Sequence, residues 1–229
     1  MQNGRGGPQI IPRPDRWHIG NPAPWGEQPC QKFSMALIEE TLARRQPVMY
    51  DNKKSNYRRS AVLVPIYPDD NELWIILTRR SAMMKHHTHE VSFPGGNQEP
   101  EDVDAWATAV REANEEIGLD PSLPRYMGTL DSLATAGSNS LISPQVASLE
   151  KVPSLQANPI EVEEILHVSL TELLNPEIFR EEIWEIQDGD MRRITFFELI
   201  GNTVWGATAA MLRQLLLTLL SIEEKKNFS

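Results

Sequence analysis

The chain holds one cysteine, Cys30, in 229 residues. No disulfide can form within it, and a reducing compartment is the default expectation. It has no apolar run long enough to cross a bilayer. The longest, around Leu215 to Leu220, is short and adjoins Arg213. The N-terminus lacks the basic-then-apolar pattern of a secretory signal. The C-terminal Asn227-Phe228-Ser229 is not a peroxisomal address. A cytoplasmic protein is expected. Positive charge is scarce as well, with 22 Lys and Arg against 32 Asp and Glu and a net charge of −10. That balance argues against a general binder of nucleic acid or of membrane surfaces. It leaves room for an anionic substrate, because a local basic patch or a metal ion reverses the sign locally. No internal repeat is present. The oligomeric state is left open.

What is present suits a packed fold. Hydrophobic residues make up 40% of the chain and charged residues 24%, enough for one medium domain with an extension or at most two small domains. Residues 1–32 are rich in Gly and Pro and read as an irregular arm, in which Trp17 and Trp25 dock on the body or on a partner. Residues 33–229 read as the main domain. Residues 34–45 form a helix with Ser34 as N-cap, and 51–59 a polar loop. Ala61–Tyr67 and Leu73–Thr78 are strands joined by a hairpin turn at Pro68-Asp-Asp-Asn71. Glu90–Phe93 is a short strand before a glycine turn. Tyr126–Leu133 is a strand, and 134–158 a long polar loop of the functional or mobile kind. Ile165–Val168 is a strand, and Ser169 with Glu172 is a capping box. Ile183–Ile186 and Ile194–Leu199 flank Asp188-Gly189 as a hairpin. Trp205–Ile222 is a largely buried helix, since it is apolar on most sides.

The densest chemistry lies between Phe93 and Leu119, where Phe-Pro-Gly-Gly leads into a helix over 104–117. Trp106, Ala109, Val110, Ala113 and Ile117 share one face at steps of three and four, and that face packs on a sheet. Thr108, Glu112 and Glu116 stack on another. Like charges four apart destabilise a helix by roughly 0.2–0.5 kcal/mol per pair, so a counter-charge is expected. Carboxylate oxygens favour a hard cation, Mg2+ or Mn2+. Arg111 and Glu115 are spaced as an ion pair, and Gly118 is placed as a left-handed stop. The competing reading is a solvated acidic helix face. The glycine pair before the helix, the arginine within it and the glycine after it favour the metal.

The run Arg-Glu-Ala-Asn-Glu-Glu-Ile-Gly-Leu119 resembles the signature of the Nudix hydrolases, which cleave diphosphates linked to another moiety. The resemblance covers roughly residues 58–221. It implies an α/β fold, an α/β/α sandwich around a mixed sheet. It also implies Glu112 and Glu116 as core metal ligands with Glu115 as a third, and Arg111 as the group that orients a glutamate. The base is left open among these carboxylates and one from a loop. Gly95 and Gly96 allow close backbone approach. In the general signature an isolated glutamate would fall at Val103; Asp102 or Glu101 stands nearby, with no metal role assigned.

Upstream, Leu77, Thr78, Arg80, Ser81 and Phe93 to Gly96 are similar to the extra motif of the coenzyme A pyrophosphatase branch. Asn158 with Glu161 to Leu170, and Val204-Trp-Gly-Ala-Thr-Ala209, are similar to its later segments. Lys85 replaces the usual arginine and loses its planar fork. His89 replaces a glycine. Arg79, Arg80 and Lys85 are candidates to hold phosphate, with a solvated strand end as the alternative. His86, His87 and His89 read as surface or packing residues, ahead of substrate contacts or a zinc site lacking a fourth ligand. Arg58-Arg59 reads as a solvated loop, Trp205 as core ahead of an adenine platform, and Ser138 to Ser140 as bordering the pocket. The expected reaction is Mg2+- or Mn2+-dependent hydrolysis of coenzyme A or acyl-coenzyme A. The alternatives are another nucleoside diphosphate derivative, such as a dinucleotide, ADP-ribose or a nucleotide sugar, or a non-catalytic ligand-binding module.

Overall fold

The computed structural model describes residues 4–27, 32–49, 57–83, 89–135, 139–186 and 189–222. Cys30, Ser138, Asp188 and most of the 51–59 loop lie outside them. In chain order the elements are β1 (Trp17–Ile19), α1 (Met35–Arg44), β2 (Arg58–Asp69), β3 (Glu72–Arg80), β4 (Val91–Ser92), β5 (Gly95–Asn97), α2 (Ala105–Ile117), β6 (Arg125–Thr129), β7 (Leu133–Thr135), β8 (Ser140–Ser148), β9 (Val162–Ser169), α3 (Leu170–Leu173), β10 (Phe179–Glu185), β11 (Met191–Leu199), β12 (Asn202–Trp205) and α4 (Gly206–Leu219).

The larger sheet runs β4-β3-β2-β8-β6, with β5 also paired to β2, β7 to β8 and β9 to β3. It is mixed, because β2 and β8 run parallel from Arg58↔Ser140 to Ile66↔Ser148 while their other partners are antiparallel. A smaller sheet runs β1-β10-β11-β12. The β2–β3 hairpin turns on Asp70 and Asn71, both at positive φ (45° and 62°), as a two-residue turn matched to strand twist requires.

Strand alternation feeds two cores. Val62, Val64 and Ile66 of β2 face a large core shared with Leu42 of α1 and Leu212, Leu215 and Leu216 of α4. Ala61, Leu63 and Tyr67 face a smaller core with Ala109, Ala113 and Ile117 of α2. Helices therefore cover both faces of the mixed sheet, the expected α/β/α sandwich. Asp104 caps α2 by accepting from Ala107 N at 2.8 Å, and Gly118 ends it at φ 64°. Ser34 and Ser169 cap α1 and α3 as expected, accepting from Leu37 N and Glu172 N.

Several expectations are corrected. The loop expected over 134–158 holds part of β7 and the nine-residue central strand β8, and its later part, 149–158, is irregular. The glycine turn is itself strand β5, paired with β2 at Val62↔Gly95. The strand expected over 126–133 stops at Thr129 and resumes as β7. The N-terminal segment contributes β1, which pairs with β10 at Trp17↔Trp184. Trp25 of the same segment is buried against Phe179 and Phe197 and donates its indole N–H to Leu174 O at 2.8 Å. Trp205 is half-buried, stacks on Phe196 and adjoins Trp184. Among the described residues no helix is long and apolar enough to cross a membrane.

Candidate active site

The site forms where the end of β3, strand β5 and one face of α2 converge. Helix spacing turns Glu112 and Glu116 toward β5, while Glu115 points outward. Glu116 is 3% exposed. Its Oε2 accepts from Gly95 N at 3.3 Å, and its Oε1 lies 3.8 Å from Arg80 Nη1. Burial pushes its carboxyl up to about 8; the charges of Glu112 and Glu161 add to the rise, while Arg80 and the Gly95 amide oppose it. Glu112 is raised for the same first reason, burial, against the attraction of Arg111. Desolvation therefore wins over the two arginines at both carboxylates.

Arg111 is the hub of the helix. It donates to Asp102 through Nε (3.1 Å) and Nη2 (2.9 Å), to Asn97 O (3.0 Å) and to Glu115 (2.9 Å), and it lies 3.1 Å from Glu112 Oε1. The expected Arg111–Glu115 pair is formed. The strongest partner is Asp102, which takes a bidentate fork and also accepts from Thr108 Oγ1 and Glu99 N. These bonds hold the Asp102 carboxyl down to about 2, led by the one from Arg111, and the guanidinium pKa is raised in return. Asp102 thus anchors the loop before α2 to the arginine. Val103, where the isolated glutamate of the general signature would fall, is exposed, as is Glu101.

The two glycines serve the protein's own packing. A Cβ on Gly95 would lie 2.4 Å from Ala61 O, and one on Gly96 would lie 2.5 Å from the Glu112 carboxylate. Any side chain at position 96 would push Glu112 off its position.

Alternation along β3 separates Arg79 from Arg80. Arg80 stands beside Glu116, and its Nε is buried with no hydrogen-bond partner among the described residues. Arg79 is held by Glu163 (3.2 Å), Glu164 (2.7 Å) and Asn202 Oδ1 (3.1 Å). His89 adopts φ 61°, which accounts for the glycine usual at this position. Its Nδ1 is 2.9 Å from Glu163 Oε2. Lys85, His86 and His87 lie outside the described residues.

The sequence reading did not single out Glu161 as a site residue. It precedes β9, its charge bears on Glu112 and Glu116, and its backbone O accepts from Ser81 N. A lone loop glutamate carries no local pattern; the Asn158 amide that reaches it at 3.5 Å was the available signal. Among the described residues no three His, Cys, Asp or Glu side chains are gathered as a ready metal cage. Arg111 draws Glu115 and Glu112 to itself instead.

A model of the NUDIX domain matches residues 57–187, which include every described residue of this site. The chain is 36% identical over 160 residues to an uncharacterized Nudix hydrolase, NudL, of Photorhabdus laumondii, covering 70% of this chain and 84% of that protein. It is 36% identical to the mitochondrial Nudix hydrolase 15 of Arabidopsis thaliana, over 78% of this chain and 64% of that protein. It is 34% identical to the peroxisomal coenzyme A diphosphatase NUDT7 of Mus musculus, over 62% of this chain and 61% of that protein. The match thus spans less than two thirds of the plant and mouse relatives. With the carboxylate face of α2, the Arg111 hub and the paired glycines inside the matched region, the chain belongs to the Nudix hydrolase family.

Proposed function

We propose that this Nudix hydrolase of a nucleoside diphosphate derivative acts on coenzyme A or acyl-coenzyme A, in one domain spanning about 33–229 to which the N-terminal segment adds β1 and Trp25. The products are 3',5'-ADP and 4'-phosphopantetheine or its acyl form. One observation carries the reading: Arg80, from the upstream segment similar to the coenzyme A branch, stands 3.8 Å from Glu116 with a buried, unpartnered Nε–H. A guanidinium so placed suits a diphosphate oxygen. The relative named as a coenzyme A diphosphatase supports the same substrate.

The donor set fits a hard divalent cation. It offers carboxylate oxygens, and burial raises both Glu112 and Glu116, helped by Glu115 and Glu161 at the first and by Glu112 and Glu161 at the second, a tension that a cation relieves. Glu112 and Glu116, joined by Glu115 on release from Arg111, would hold Mg2+ or Mn2+. When bound, such an ion neutralises charge growing on the phosphates and lowers the pKa of water. The chain's own residues do the rest. Arg80 holds a phosphate oxygen, and Arg111 sets the carboxylates after Asp102 has fixed Arg111. Hydrolysis makes one P–O bond to the water oxygen and breaks one to the bridging oxygen. The proton released goes to a carboxylate at the site, and Glu161, whose charge bears on Glu112 and Glu116, is the loop candidate beside the helix glutamates.

A second reading, another nucleoside diphosphate derivative, is favoured by one observation: the carboxylates of Glu163 and Glu164 already occupy Arg79, leaving one fewer cation for a 3'-phosphate. Turnover of coenzyme A, an acyl-coenzyme A, NADH, ADP-ribose and a dinucleoside polyphosphate with Mg2+ and with Mn2+ decides between them. Release of 3',5'-ADP from coenzyme A well above the rest is expected. Preference for ADP-ribose or a dinucleotide would overturn the coenzyme A assignment while leaving the hydrolytic site in place.

A further inference from the structure

The first residues of the described chain reach the edge of this site. Gly6 N donates to Leu199 O (2.8 Å), Gly201 N to Gly4 O (3.2 Å) and Gly7 N to Thr203 Oγ1 (3.1 Å). The segment is thereby strapped across the turn between β11 and β12. The fit is close at Gly7, where a Cβ would lie 2.6 Å from Gly201 O. Gln9 follows and is 8% exposed. Its Oε1 accepts from Thr203 N at 2.8 Å. Its Nε2 donates to His89 O at 2.8 Å and approaches Asn202 Oδ1 at 3.4 Å, the same oxygen that accepts from Arg79.

The His89 carbonyl belongs to the backbone lock at the end of β3. His89 N donates to Arg80 O (3.1 Å), and Arg80 N donates to Glu90 O (2.9 Å). These bonds place the Arg80 backbone, and with it the guanidinium beside Glu116. His89 sits in the left-handed region, a conformation that a non-glycine residue keeps only when its surroundings over-determine it. Two contacts supply that constraint, Glu163 on its ring and Gln9 on its carbonyl.

We infer that Gln9 is a positioning residue for the hydrolytic site: acting through His89, it fixes the backbone pair that sets Arg80 beside Glu116. The inference rests on Arg80 being the phosphate-holding group proposed above. It gives the N-terminal segment a part in substrate binding that its distance in sequence does not suggest.

The test compares the 229-residue chain with Gln9→Glu and Thr203→Val. The first keeps the acceptor for Thr203 N and loses the donor to His89 O. The second loses the hydroxyl that holds Gly7 and leaves the Gln9 bridge intact. Steady-state kinetics are measured on coenzyme A with Mg2+, and on whichever diphosphate of the panel is turned over best. Amide exchange at Arg80 and His89 is measured by NMR without substrate. Gln9→Glu is expected to raise KM about 3- to 10-fold, with kcat within twofold, and to speed exchange at His89. Thr203→Val should do neither. An unchanged KM and unchanged exchange in Gln9→Glu would overturn the inference. So would an equal KM rise in Thr203→Val, which would reduce Gln9 to one of several docking contacts. If the wild-type protein hydrolyses nothing in the panel, the reading of the site fails on its own. Exchange at His89 then decides the anchor alone, faster exchange in Gln9→Glu supporting it and unchanged exchange removing it.

Discussion

Replacing Glu116 with Gln probes the site at its most buried charge. The Glu116 carboxyl titrates near 8 in the native protein, against 4.5 for an unperturbed glutamate, and burial is the main cause. Between these values the metal-free native state holds a proton that the unfolded chain has released. Its contribution to stability is therefore complete below about pH 4.5 and is lost as the pH rises through 8. The gap corresponds to about 5 kcal/mol at most. Gln keeps the acceptor for Gly95 N, and the Arg80 attraction that it loses is already contained in the value near 8. The metal-free variant should thus be up to about 4 kcal/mol more stable than wild type at pH 8 and close to it at pH 5. Urea unfolding in chelator at both pH values measures this, and the difference between the proteins isolates the one group. Diphosphate turnover with Mg2+ should fall at least about 100-fold in the same variant. A Gln variant less stable than wild type at pH 8 would refute the electrostatic argument. An unchanged turnover rate would remove Glu116 from the metal-ligand set.

Three further outcomes follow from the geometry. Asp102→Asn should cost about 2 kcal/mol near neutrality, because the Asp102 carboxyl held down to about 2 gives stability that is present above about pH 4 and lost as the pH falls through 2; acid unfolding curves of the two proteins should converge there. Gly96→Ala should lower kcat/KM about 100-fold with a small loss of stability, since its Cβ would displace the Glu112 carboxylate; thermal unfolding and kinetics separate the two effects. Arg80→Lys should lower kcat/KM about 10- to 100-fold through loss of the planar fork, while Arg79→Lys, at a side chain already held by Glu163, Glu164 and Asn202, should change it less; equal effects would contradict the separation of the two arginines by β3.

The acidic helix α2 was legible because its information is local. The Ala109-Ala113-Ile117 stripe, the Arg111–Glu115 spacing and Gly118 act within one or two turns, and each has the expected place. The mixed sheet and the covering helices followed from the order of elements. What the sequence concealed was long-range. Asp102 was recognisable only as a nearby acid, because its partner Arg111 is nine residues away through a loop of no regular pattern. Glu161 reaches the site from a loop before another strand. Gln9 lies eighty residues from His89, and nothing in a Pro- and Gly-rich segment signals which side chain will be buried.

The concealed strand β8 shows why composition misleads at the centre of this sheet. Its residues, Ser-Leu-Ile-Ser-Pro-Gln-Val-Ala-Ser, carry a proline that normally excludes a central strand. Pro144 escapes the rule by its position. β7 pairs with β8 as far as Ile142, and β6 takes over from Gln145. Pro144 sits at that change of partner, where its carbonyl still accepts from Leu130 N and its missing N–H interrupts neither ladder. Pro65 repeats the device in β2, between the stretch paired with β5 and the stretch paired with β3. The two prolines sit on the two central parallel strands at points where the neighbouring strand changes. On one side of Pro65, β5 pairs with β2 and sets Gly95 and Gly96 against Glu116 and Glu112. The proline that hides β8 from a sequence reading thus marks a change of partner, as Pro65 does in the strand beside the site.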